Sequence, residues 1–217
     1  MILAIETSSE ICSVAFWENG KILREYNQKA PMQHAQLLGK LVEHGLKQLA
    51  LNQLQTVAVG IGPGSFTGLR IGLSYAQGLC FGSGIHIVGI SNHQVIAMQN
   101  KTNKAPILTI IDARRDEVYL ARHKNDSIFT IESHQIIALD KIEHIFEKGA
   151  VLNAFDDLKI SDSVTKNLTS KNITINKEGT YNAGWIARLA EQKLVIKGAD
   201  NLETLEPMYI RPFAGIK

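Results

Sequence analysis

Cysteine is scarce, with only Cys12 and Cys80 among 217 residues. They stand far apart in apolar surroundings and form no CxxC pair. This excludes a disulfide framework or a structural zinc knuckle and predicts buried thiols in a reducing cytoplasm. No apolar run approaches the roughly 20 residues that a membrane helix needs. The opening Met1-Ile2-Leu3-Ala4-Ile5-Glu6 has no basic region and meets an acid at once, so it reads as a strand and not as a secretory signal. Charge of one sign is also missing: Lys and Arg number 23, Asp and Glu 21, for a net charge of +2. Residues 1–104 carry 8 basic and 5 acidic side chains, residues 105–217 carry 15 and 16. A chain that grips nucleic acid by itself shows a stronger basic footprint. With 45% hydrophobic residues and 17 glycines, disordered and collagen-like chains are excluded, and one large or two small packed domains fit.

The pattern begins with strands. Residues 2–6, 11–17 and 21–27 form an antiparallel meander whose second turn, Asn19-Gly20, tolerates positive φ at both positions. Pro31 suits the first residue of a helix, and Leu37, Leu38, Leu41, Val42, Leu46 and Leu49 follow at helical spacing. That wide apolar arc offers two packing surfaces. Next come a strand at 56–61, a glycine-rich break, a helix over 67–81, a strand at 85–90 and, with Ser91 as its N-cap, a helix through Met98. Residues 100–104 are polar and mark a boundary. They divide the chain into a first domain, 1–104, and a second, 105–217, whose C-terminal segment is free to pack back on the first.

Shifting the chain by 106 residues aligns the two halves. Ile2 falls on Leu108, Ile5 on Ile111, Glu6 on Asp112, Glu10 on Asp116, Val14 on Leu120, Asn19 on Asn125 and Ile22 on Ile128. Both halves read strand, acid, polar turn, acid, strand, Asn-containing turn, strand. This is similar to the two-domain α/β architecture of actin, sugar kinases and heat-shock ATPases, a ribonuclease H-like fold. There the two acid-bearing turns face one cleft holding nucleotide phosphates and their metal. Glu6, Thr7, Ser8 and Asp112 are therefore candidate nucleotide contacts, with turn stabilisation as the competing reading. The second half then departs from the pattern: a helix near 138–148, a strand at 151–153, and a polar stretch over 156–177 without an adenine-cradling glycine segment. The second domain reads as abbreviated.

Residues 60–72, Gly-Ile-Gly-Pro-Gly-Ser-Phe-Thr-Gly-Leu-Arg-Ile-Gly, match no standard phosphate loop. A Walker A loop needs a lysine that is absent. The third glycine of GxGxxG would fall on Ser65, and Pro63 and Thr67 stand where a nucleophile elbow needs glycines. Gly64, Gly68, Gly72, Ala76 and Cys80 recur every four residues, which on a helix makes a ridge almost free of side chains. Such a ridge packs either against the domain's own sheet or first helix or, with Leu38 and Leu46 of the preceding helix, against a partner's helices. Arg70 beside it suits phosphate, RNA or an acidic partner residue.

Ile5-Glu6-Thr7-Ser8, the run from Gly62 to Gly72, Asp112-Ala113-Arg114 with Glu117-Val118-Tyr119, and Pro207-x-Tyr209-x-Arg211 together resemble the TsaB family, the dimerisation subunits of the bacterial machinery that makes threonylcarbamoyladenosine in tRNA. The resemblance runs through the whole chain in order. It implies a non-catalytic, cofactor-free scaffold that pairs with the catalytic relative TsaD through first-domain helices and is joined by the ATPase TsaE. Such a subunit meets tRNA indirectly, through the complex, and self-associates when alone. The tRNA position modified is the adenosine beside the anticodon in tRNAs reading ANN codons. TsaD holds a metal with His-x-x-x-His on its first helix. Here His34 occupies the first of those positions and Leu38 the second, and one histidine cannot grip an ion as two at i and i+4 do. An independent ATP-dependent enzyme of sugar-kinase type is the alternative. A peptidase lacks any nucleophile–base constellation here.

Overall fold

The computed structural model describes residues 1–47, 49, 53–100, 107–124 and 127–211. Part of the expected boundary (101–104) and the turn residue Asn125 lie outside them. The chain forms two compact units, Met1–Val95 with Tyr181–Met208, and Ile96–Thr180 with Tyr209–Lys217.

In the first unit β1 (Ile2–Glu6), β2 (Ile11–Glu18) and β3 (Lys21–Lys29) form the meander, joined at Asn19 (φ 49°) and Gly20 (φ 78°). β1 also pairs in parallel with β4 (Thr56–Gly62), and β4 with β5 (His86–Ser91), giving the order β3-β2-β1-β4-β5. Helices α1 (His34–Leu46) and α2 (Phe66–Cys80) cover one face of this sheet, and α3 (Asn92–Gln99) follows β5 in the chain. Leu3, Ile5, Val14, Phe16, Val57 and Val59 meet Leu38, Val42, Leu73 and Ala76 there, all in one buried core. α6 (Ala183–Lys197) covers the opposite face, where Ile186 approaches Gly60.

The first unit's continuous part ends at Val95, not at 104, and α6 is the C-terminal segment that packs back on it. Residues 181–208 belong to the first unit, because buried Ala183, Ile186, Ala187, Leu189 and Ala190 of α6 need an apolar face and the first sheet supplies it. The segment after α6 stays there too. Asp200 donates its N–H to the Ile87 carbonyl at 2.9 Å, and its carboxylate accepts from Gly89 N at 2.8 Å and from Lys193 Nζ at 2.6 Å. Helix α1 begins three residues after Pro31: Met32 adopts φ 63°, which no helix continues, and Gln33 is the N-cap residue.

The second unit holds β6 (Leu108–Arg114), β7 (Glu117–Lys124), β8 (Ser127–Ala138), β9 (Val151–Phe155) and β10 (Thr174–Gly179), ordered β10-β9-β6-β7-β8. Counted within each unit, both sheets read third-second-first-fourth-fifth. The fold is therefore the duplicated α/β arrangement of the actin-like ATPases. A shift of 106 carries β2 onto β7 residue for residue. It fails after the third strand, because β9 follows only a 3-10 turn and the four-residue α4 (Ile142–Ile145) where the first unit has the 13-residue α1. The polar stretch 156–177 contains α5 (Asp162–Ser170), capped by Ser161, and most of β10. Of its six apolar residues, Leu158, Leu168 and Ile173 are buried, and Ile160, Val164 and Ile175 pack half-buried against the same core.

Candidate partner-binding and nucleotide-type sites

The turn after β1 is built from its own hydrogen bonds. The Glu6 carboxylate, 1% exposed, accepts the Ser8 N–H. Burial pushes its pKa up, opposed by hydrogen bonds from Ser8 and Thr7. Thr7 Oγ1 donates to the Gly68 carbonyl at 2.8 Å, Ser65 N donates to the Ser8 carbonyl at 2.7 Å, and Asn92 Nδ2 donates to Ser8 Oγ at 2.7 Å. The three residues that would offer hydroxyls and an acid to a phosphate are thus buried and bonded to α2, to Asn92 and to one another.

The glycines make this possible. A Cβ at Gly68 would overlap the Thr7 carbonyl oxygen, one at Gly72 would overlap Thr7 Oγ1, and one at Gly64 would stand 2.7 Å from the Ser8 carbonyl oxygen. The ridge therefore lies against the chain's own first turn. This corrects the expectation that Gly64, Gly68, Gly72 and Ala76 receive a partner: the N-terminal end of α2 has to come within backbone contact of residues 7–8, and no side chain fits between. Ala76 is wholly buried, and Leu38, 1% exposed, is a core residue. Leu46 is half-buried against the same core.

The opposite side of α2 is open. Phe66 (43% exposed), Thr67, Arg70 and Ser74 face solvent beside half-buried Ile71, and with it they line a shallow groove of about 430 Å³. The Arg70 guanidinium stacks 4.1 Å over the Phe66 ring. Of the expected partner residues, Arg70 alone lies on this exposed face. Phe66, Ile71 and Ser74 were not singled out by spacing. The available signal was composition: Arg70 is the one charged residue in the fifteen of α2.

In the second unit the turn after β6 is different. Asp112 accepts the Arg114 N–H at 2.7 Å and pairs with its guanidinium at 3.3 Å. Arg114, Arg115 and Asp116 all adopt positive φ (65°, 57° and 57°), at a cost of roughly 1–2 kcal/mol each. Burial, then the neighbouring charges of Asp156 and Asp112, push the Asp157 carboxyl up. Arg211 pairs with Glu117 at 2.5 Å. His34 and Leu38 share the buried face of α1. Among the described residues no group of three or more His, Cys, Asp and Glu side chains is placed to hold a metal ion, and no helix is long and apolar enough to cross a membrane.

Residues 24–193 match the family model of TsaD, tRNA N6-adenosine threonylcarbamoyltransferase. The Haemophilus influenzae tRNA threonylcarbamoyladenosine biosynthesis protein TsaB is 31% identical over 97% of this chain and 93% of its own length. The chain belongs to the TsaB family. Escherichia coli TsaB is 35% identical over 68% of this chain, and the match spans 65% of the relative's length. A crystal structure from Pseudomonas aeruginosa, described as an uncharacterized protein with similarity to the peptidase YeaZ, superposes with a TM-score of 0.75 at 24% identity, covering 97% of this chain and 99% of that one. The likeness to that structure is one of fold.

Proposed function

We propose that this chain is a non-catalytic scaffold in the threonylcarbamoylation of the adenosine beside the anticodon. It pairs with a TsaD-like catalytic subunit through the outer faces of α1 and α2, and a TsaE-like ATPase joins the pair. The complex works in the cytoplasm and brings tRNA to the catalytic subunit. The carrying observation is the contrast across α2: one side is spent on the first turn, while the other exposes Phe66, Arg70 and Ser74 around a groove. Membership of the TsaB family supports the pathway. Leu38 in place of a second histidine, together with Glu6, Thr7 and Ser8 committed to internal hydrogen bonds, supports a role without metal or nucleotide chemistry. As a scaffold the chain acts through coupling free energy, by favouring one conformation of its partner.

The test is reconstitution. The TsaD-like and TsaE-like proteins of the same host modify tRNA when this chain is present and lose that activity when it is omitted, and this chain alone modifies none. Failure of tagged chain to capture the TsaD-like protein contradicts the reading. Magnesium-dependent ATP turnover by the purified chain, abolished by Glu6→Gln, would establish the sugar-kinase alternative instead.

A further inference from the structure

Each sheet ends on its fifth strand, β5 in the first unit and β10 in the second, but the two edges are finished differently. An open edge is a row of unpaired N–H and C=O groups that accepts an added strand. In the first unit the chain closes this edge itself. The segment after α6 meets β5 in an antiparallel bridge between Asp200 and Ile87. Asp200 N donates to the Ile87 carbonyl, and the Asp200 carboxylate accepts the Gly89 N–H at 2.8 Å. Lys193 Nζ reaches that carboxylate at 2.6 Å and the Gly89 carbonyl at 3.0 Å. An extended backbone, a carboxylate and a lysine complete the strand together.

β10 has a lysine and a groove but no such strap. Among the described residues it pairs with β9 alone. Thr174 donates its N–H to the Ala150 carbonyl at 3.0 Å on the β9 side. Consecutive residues of a strand turn their backbone groups to opposite edges, so Ile175 turns its N–H and C=O outward. Beside that edge α5 and β10 form a groove of about 460 Å³, with Leu168, Ile173 and Ile175 in its lining. The hydroxyls of Thr165 and Thr169 in its wall donate to the Ser161 and Thr165 carbonyls of the same helix. The polar partners left for a ligand are the strand edge and Lys177, the one charged side chain of the lining. The Lys177 ammonium donates to the Leu158 carbonyl at 2.7 Å, which uses one of its three N–H bonds.

We propose that the edge of β10 is a docking site for an extended acidic segment of another protein. The segment adds antiparallel to β10 as a further strand of the second sheet. It exchanges backbone hydrogen bonds with Ile175, lays apolar side chains over Ile173 and Ile175, and sets a carboxylate on Lys177. It thereby does for the second sheet what the residues around Asp200 do for the first. A second copy of this chain does not meet that need, because the groove side of β10 carries isoleucines and another lysine and no acid. Lysine on an edge strand is a common device against pairing of like edges.

The test is an NMR titration of the isotope-labelled full chain with the capped peptide Ser-Glu-Thr-Val-Thr-Val-Ser, which in antiparallel register sets its glutamate beside Lys177 and its first valine opposite Ile175. Saturable shifts centred on the Ile175 and Lys177 amides are expected, with slowed hydrogen exchange at Ile175. Replacing the peptide's glutamate by lysine should weaken binding about fivefold, the size of an exposed charge contact. N-methylation of the first valine removes the donor to the Ile175 carbonyl and should abolish saturation. Both peptide changes are read on the unaltered chain, so neither depends on a variant that folds. Lys177→Glu should then invert the preference, so that the lysine peptide binds better. Absence of a saturable shift at Ile175, equal binding of the N-methylated peptide, or equal binding of the two charges overturns the proposal. Self-association that shifts the Ile175 amide and excludes the peptide also overturns it, since a second copy then holds the edge.

Discussion

The two sides of α2 follow different rules although they share fifteen residues. On the inner side, Gly68 and Gly72 exist because backbone and hydroxyl atoms of Thr7 occupy the space a Cβ would need, and the return is internal: a hydrogen-bonded first turn and a closed sheet end. On the outer side, Gly78 has open space beyond it, Ser74 and Phe66 face solvent, and the Phe66 ring carries the Arg70 guanidinium. One glycine period along one helix therefore serves two purposes, which burial separates and spacing does not.

Substitutions sharpen that contrast in order of size. Gly68→Leu meets the Thr7 carbonyl, a backbone atom that cannot swing aside, and should cost about 3 kcal/mol or more of folding stability. Urea denaturation measures it, and a stable, folded variant would return the ridge to the solvent side. Leu38→Ala should cost about 2–4 kcal/mol as a core cavity, read in the same experiment, and should not behave as a surface change. Phe66→Ala should leave urea stability within about 0.5 kcal/mol while weakening affinity for the TsaD-like subunit by about 2 kcal/mol, the size of a hot-spot loss, as calorimetry would show.

The smallest effect concerns pH. Burial raises the Glu6 pKa above its unfolded value, so at pH between the two values the folded state binds more of this proton than the unfolded chain does. The stability linked to Glu6 is greatest below the unfolded pKa near 4.5 and declines as pH rises through the folded pKa. Glu6→Gln, which keeps an acceptor for the Ser8 N–H, removes that decline. A pH series of urea midpoints checks it, and an unaltered slope would mean that Glu6 is ionised throughout.

Much of this was legible from residues. Asn19-Gly20 forecast the hairpin, the apolar alternation gave β1 to β3, and the paired acids Glu6 and Asp112 marked the duplication. The shift of 106 ends after the third strand because α1 has no counterpart of equal length, and no local pattern signals a missing helix. Helix α6 gave no sign of its partner sheet: its apolar residues fit any flat apolar surface, and only the tertiary fold reveals which one is bare. The glycine ridge was visible as a ridge. Its occupant was not, because a backbone carbonyl 61 residues away in sequence leaves the same mark as a foreign helix.

Thiol labelling tests the account most directly. Cys12 and Cys80 are buried, with burial pushing both up to about 11, so they stay silent toward maleimide near neutral pH. A Ser74→Cys chain presents one reactive thiol on the outer side of α2. The free chain should label quickly, and saturating TsaD-like subunit should slow labelling at least tenfold. An unchanged rate in a complex shown to have formed would contradict the claim that this side of α2 is where the partner sits.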